Sequence, residues 1–377
     1  MKKQGRWILT GMVIMMAAAV LAGCGKKYEE VSVTTETEAQ TRVEETTKAV
    51  VLETEPSTEA VTVSEEPDER VEVDGKIRSY LTGEMIDVKQ GNRRPLAIMM
   101  SNDKEALPQY GINRAGVVYE APMEGDIHRY MALIEDYDDL ERIGSVRSCR
   151  TYFTYFAREY DAIYAHFGQS SFALPYLKNV DNINGIEGIG TTAFYRSSDK
   201  KQPHNAYASG DRIKAAIEKL GYRTEYDDSY EGHFQFAKGD EQIVPDGEIA
   251  YKVIPGYGNN DPWFEYQEKD GVYHRFQYGA HHKGNEGLIE VKNIIFQYVE
   301  WGYYATTPYL NINVHTGQEG FYFTNGKCQK ITWKKDGEFG VTHYYDLDGN
   351  EITLNKGKTW ICIIGTDKYN KVKIYGK

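Results

Sequence analysis

Apolar and polar positions along the 377 residues fall into four textures. Trp7 to Val20 is almost wholly apolar, follows the cationic Lys2, Lys3 and Arg6, and leads into Leu21-Ala22-Gly23-Cys24. A run this short falls below the about 20 residues that cross a bilayer, so it reads as an export signal. Residues 28–72 then lack any hydrophobic period. From Leu96 the period returns. Leu96–Met100, Val117–Tyr119, Tyr130–Ile134 and Asp161–His166 are short strand-like runs, while Phe153, Phe156, Ala157 and Tyr160 recur at the spacing of a helix face. Ser170 or Ser171 is placed to cap a helix over Phe172–Leu177. A second helix is expected over Asp211–Leu220, with Ile213, Ala216, Ile217 and Leu220 on one face and Gly221 to end it.

Beyond about residue 232 the pattern becomes short strands between turn pairs: Asp270-Gly271, Asn325-Gly326, Asp336-Gly337 and Asp348-Gly349. Val272–Tyr278, Val291–Glu300, Leu310–Val314 and Thr359–Ile364 are the strand candidates. The fold expected is an α/β or mixed three-layer N-terminal domain over 76–231 plus a smaller β-rich C-terminal domain over 232–377. Residues 1–23 form the signal peptide, and 24–75 hold the lipidated Cys24 and an acidic tether.

Charge sharpens the tether. Residues 28–72 carry 14 acidic against three basic side chains, close to the whole chain's net charge of −12. Self-repelling charge with little to bury predicts disorder, so the tether is expected to provide reach. Small residues before Cys24 match the bacterial lipobox. Diacylglycerol on that sulfur, with a further acyl chain such as palmitate, would hold the protein on the extracytoplasmic face of the cell membrane. An acidic protein outside the cell is a poor nucleic-acid partner. Apart from Cys24 only Cys149, Cys328 and Cys362 occur, too few for a disulfide scaffold, although a Cys328–Cys362 pair stays open. Arg147 and Arg150 are placed to lower the Cys149 thiol pKa; burial would keep it inert.

Val118-Tyr119-Glu120, Gly125-Asp126-Ile127-His128-Arg129, Val146-Arg147-Ser148-Cys149-Arg150, His166-Phe167-Gly168, Phe194-Tyr195-Arg196, Pro203-His204-Asn205 and Leu354-Asn355-Lys356-Gly357 together resemble the YerB-like lipoproteins of Gram-positive bacteria, in order and spacing over residues 80–370. The resemblance implies a two-domain extracytoplasmic lipoprotein and implies no reaction, so enzyme activity stays open. Where that family tends to carry His-x-Asp, this chain has His281-His282-Lys283, and no metal ligand set is expected.

Glu120, Arg129, Arg147, Arg150, His166, Ser170, Arg196, His204 and Asn205 fall at or after strand ends, where open α/β sheets bind ligands. Several arginines make an anion site, because each guanidinium fork matches phosphate or carboxylate. The function expected is binding of an anionic cell-envelope ligand. A second reading is a non-enzymatic scaffold docking an envelope protein or glycan through the aromatic C-terminal domain. A third comes from a fainter resemblance of Gly125–Arg129, Ser145–Arg147 and Ala165–Gly168 to LytR-CpsA-Psr glycopolymer transferases. It would bring Mg²⁺ and a prenyl pyrophosphate to Arg147 and Arg150, but the family's Ser-Ile-Pro-Arg-Asp run is missing. No cofactor is expected otherwise. Walker A, His-Glu-x-x-His, Gly-x-Ser-x-Gly and Cys-x-x-Cys motifs are also missing.

Overall fold

The computed structural model describes residues 28–31 and 70–377. Cys24, the export signal and most of the acidic tether lie outside the described residues. In chain order the main elements are β1 (Leu96–Ser101), β2 (Val117–Pro122), β3 (His128–Ile134), α1 (Thr151–Arg158), β4 (Ile163–His166), β5 (Asn182–Asn184) and α2 (Gly210–Leu220). There follow β6 (Lys252–Ile254), β7 (Trp263–Gln267), β8 (Val272–Gln277), β9 (Asn293–Val299), β10 (Glu319–Thr324), β11 (Lys327–Lys335), β12 (Thr342–Tyr345), β13 (Thr359–Gly365) and β14 (Lys373–Tyr375).

Ten of these strands make one sheet in the order β12-β11-β10-β9-β13-β2-β3-β1-β4-β5. The N-terminal and C-terminal halves meet inside it, where β13 pairs in parallel with β2, Thr359 facing Val117 and Cys362 facing Glu120. A smaller six-stranded antiparallel sheet lies over it, in the order β8-β7-β6-β14 with the short Ala280–His281 and Glu290–Val291 strands both paired to β8. Alternation along β1 explains how both faces are filled. Leu96, Ile98 and Met100 join Ile213 and Ile217 of α2 and Phe264 and Tyr273 of the small sheet, whereas Ala97 and Met99 join Phe153 and Phe156 of α1. Each fully buried Phe or Ile on these faces contributes about 1.5–3 kcal/mol.

Local chemistry sets the element ends. Ser209 caps α2 by accepting from the Arg212 N–H, and Gly221 ends it in the left-handed region. Leu220 is 37% exposed and does not join the buried face of that helix. The helix expected over Phe172–Leu177 is reduced to single 3₁₀ turns at Ser171–Ala173 and Leu177–Asn179, with no side-chain cap from Ser170. Pro175 stands between them. At Asn325-Gly326 both residues have positive φ, the turn that closes β10 onto β11 with Thr324 opposite Lys327.

Two stretches of the segment 24–75, residues 28–31 and 70–75, lie on the folded body. The Val31 N–H donates to Ile374 O at 2.8 Å and the Gly376 N–H to Glu29 O at 2.7 Å, so residues 29–31 lie antiparallel along β14. Arg70 is fixed by Arg78 O and Asn92. Disorder was expected from side-chain composition, but an edge strand offers main-chain donors and acceptors to any sequence. Among the described residues no helix is long and apolar enough to cross a membrane.

Candidate functional site

Strands β2, β13, β1 and β4 all run in one direction, so their C-terminal ends lie along one edge of the large sheet. The segment 145–150 crosses this edge. It is tied down by Arg147 N–H to Met99 O, Phe167 N–H to Arg147 O and Cys149 N–H to Gly168 O. Arg129 opens β3 at the same edge, opposite Ser101.

Three guanidiniums meet there. Arg129 is 6% exposed, and its Nη1 donates to Ser148 O at 2.7 Å and Oγ at 3.3 Å, while its Nε has no partner. Burial, then the neighbouring Arg150 and Arg147, push its pKa down to about 10. No ion pair to Arg129 is found among the described residues. Arg147 donates to Pro203 O and lies 3.8 Å from the Asp103 carboxylate; burial lowers its pKa against the pull of Asp103. Arg150 forks onto Glu124, Nε at 3.0 Å and Nη2 at 2.7 Å, and sits over the Tyr309 ring. Although burial opposes it, that fork holds the Glu124 carboxyl below its usual range.

The remaining predicted residues divide. His204 reaches the cluster through Asp103, its Nδ1 3.6 Å from the same carboxylate that faces Arg147. Arg196 and Asn205 bond to each other at 2.8 Å on the adjoining hairpin, with Arg196 over Phe167. His166 is not a site residue: it is fully buried, with Nδ1 on Gly168 O and Nε2 on Asn182 Oδ1. Ser170 is buried and binds Cys149 O through its own N–H.

Glu120 needs the largest correction. Residues of β2 alternate between faces, and Glu120 points away from Arg129, into the layer under the small sheet. Both its oxygens accept from Arg275 at 2.9 Å, and one also accepts from Trp360 Nε1 at 3.0 Å. Arg275 continues to His282, and His282 to Gln109, all buried. These groups weld the two sheets. His281, by contrast, is exposed.

Beside the arginines the same edge opens a cavity of about 310 Å³, lined by Met123, Glu124, His128, Tyr257, Trp301 and Tyr303 among others. Glu124 belongs to both features. Sequence reasoning missed Asp103, Glu124 and the Trp301–Tyr303 wall; the acidic Glu124-Gly125-Asp126 run just before a strand was the available signal.

Cys149, Cys328 and Cys362 are buried thiols, and none is in a disulfide. Burial raises Cys149 to about 12, outweighing Arg150 and Arg129. All three are therefore expected to resist a thiol reagent in the native protein and to react together after unfolding in urea. Fast native labelling of Cys149 would contradict this.

The family described as "Protein of unknown function (DUF3048) N-terminal domain" matches residues 81–223, and its C-terminal counterpart matches 253–361. The Bacillus subtilis (strain 168) protein described as "Putative lipoprotein YerB" is 30% identical over 298 residues, 77% of this chain and 86% of that protein. The crystal structure of YerB protein from Bacillus subtilis superposes with a TM-score of 0.68 at 28% identity, covering 78% of this chain and 98% of that one. With both domain matches in order and this relative along most of its length, the chain belongs to the two-domain YerB-like family.

Proposed function

We propose that this chain is a lipid-anchored protein of the extracytoplasmic membrane face that binds an anionic envelope ligand at Arg129, Arg147 and Arg150. The observation carrying it is the buried Arg129 guanidinium, beside two other arginines, with an unpartnered Nε and, among the described residues, no ion pair of its own, Glu124 being taken by Arg150. An uncompensated buried cation is costly, and an anion bound there offsets that cost. The Leu21-Ala22-Gly23-Cys24 run and the relative's description as a lipoprotein support the anchor.

Calorimetric titration with inorganic pyrophosphate and phosphate tests the site. Binding should weaken with salt, and Arg129→Gln should reduce affinity at least about tenfold, the cost of one charge-assisted hydrogen-bonded contact. Equal affinity in Arg129→Gln, or no binding of either anion, would sink the reading. For the anchor, Cys24→Ser should abolish fatty-acid labelling and release the protein from membranes.

One observation favours an envelope glycan as the larger ligand. Trp301 and the 58%-exposed Tyr303 wall the cavity next to Glu124, as a sugar-stacking surface would. Elsewhere in the C-terminal half Tyr257, Tyr273, Tyr298, Tyr322 and Tyr344 are buried, so much of its aromatic content fills the core.

A further inference from the structure

Residues 29–31 are the outermost strand of the small sheet, and the lipobox cysteine precedes Tyr28 by four residues. The attachment is a built one. Two main-chain hydrogen bonds flank the Glu30–Tyr375 pair, Glu30 pairs with Lys373, and the Lys252 ammonium stands over the Tyr28 ring at 6.0 Å. Val31 packs against the core cluster beneath the small sheet. Val31 and Arg70, the described residues on either side of 32–69, are both bonded to the folded body.

This changes what the acidic segment can do. Were the chain from Cys24 to Arg70 a free tether, its root-mean-square span would be about 37 Å. Held at residues 29–31, the body is limited by the four residues from Cys24 to Tyr28, which reach at most about 14 Å. We infer that the β14 edge of the small sheet is the surface this protein presents to the phospholipid bilayer, with residues 29–31 acting as a strap that holds the body flush against the outer leaflet. The inference rests on the lipid-anchor reading above. The two edges of the small sheet lie over different parts of the large one. The Ala250 N–H beside β6 bonds to Gly326 O at the β10–β11 turn, and Tyr278 after β8 bonds to Asn102 O after β1. The strapped edge therefore lies on the side away from β4 and β5, and the exposed Ile186 just past β5 should be far from the membrane.

Energy transfer to a rhodamine headgroup lipid measures this. Full-length lipidated protein in phosphatidylglycerol–phosphatidylethanolamine liposomes carries a donor dye on a cysteine introduced by Lys377→Cys, or in a second sample by Ile186→Cys. Transfer from position 377 should exceed that from 186 at least about twofold. Val31→Pro removes the strap's N–H donor, and the milder Glu30→Lys sets like charges against Lys373. Either should cut transfer from 377 toward the value at 186 while the urea unfolding midpoint of the body changes little. Equal transfer at the two positions in the wild-type strap overturns the inference, as does unchanged transfer in both strap variants. Protein that fails to float with the liposomes at all overturns the anchor reading along with it.

Discussion

Replacing Arg275 by Met is expected to cost about 3–5 kcal/mol of folding stability, because it strands a buried carboxylate. Glu120 and Arg275 are both 0% exposed and joined through two 2.9 Å contacts between the sheets. Removing the cation leaves Glu120 with only the Trp360 and Asn260 donors. The double variant Glu120→Gln, Arg275→Met should recover most of the loss, since neither partner is then left charged. Urea denaturation of the four proteins gives the cycle. A single-variant loss below about 1 kcal/mol would mean that the pair is not the weld described above.

Acidification should weaken the fold from about pH 6.5 downward. Burial, then Arg275 and Lys368, push His128 from 6.5 to about 3, and burial also lowers His166, His233 and His282. A depressed histidine is neutral when folded, while the unfolded chain takes up a proton below 6.5. Its contribution is therefore complete above pH 6.5 and lost as pH falls toward the folded value. For His128 the loss between pH 6.5 and 4.5 is about 2 kcal/mol. Glu159 adds to the same trend at lower pH: despite burial, Lys335 and His233 hold its carboxyl below the usual range. Glu135 runs the other way, since burial raises it to about 7 and its contribution is lost as pH rises; it cancels about one histidine's share. In urea unfolding at several pH values, His128→Asn should flatten the acid limb between pH 6.5 and 4.5 by about 2 kcal/mol. Identical slopes in the two proteins would remove His128 from the account.

What the sequence made legible was local. Phe153, Phe156 and Ala157 mark α1 and Ile213, Ala216 and Ile217 mark α2, because a 3.6-residue period needs no distant partner. Asn325-Gly326 marks its hairpin for the same reason. The parallel pairing of β13 with β2 leaves no such trace, and the two halves therefore read as separate domains, with no sign that they share one sheet. Arg129, Arg147 and Arg150 were recoverable as residues at strand ends. Glu120 was not, because Val117, Val118, Tyr119 and Ala121 are apolar on both faces of β2 and no alternation tells which way a carboxylate points. The order at residues 29–31 was hidden for another reason, as main-chain pairing is blind to composition.

The junction at the middle of the large sheet also governs how the molecule can be made. Synthesis from the N-terminus delivers β2 some 240 residues ahead of β13. Until the final stretch arrives, the Val117–Glu120 edge stands open as a template for any stray strand. Delivery from the N-terminus thus imposes a waiting period on that edge, and a truncation before Thr359 leaves it without its partner strand.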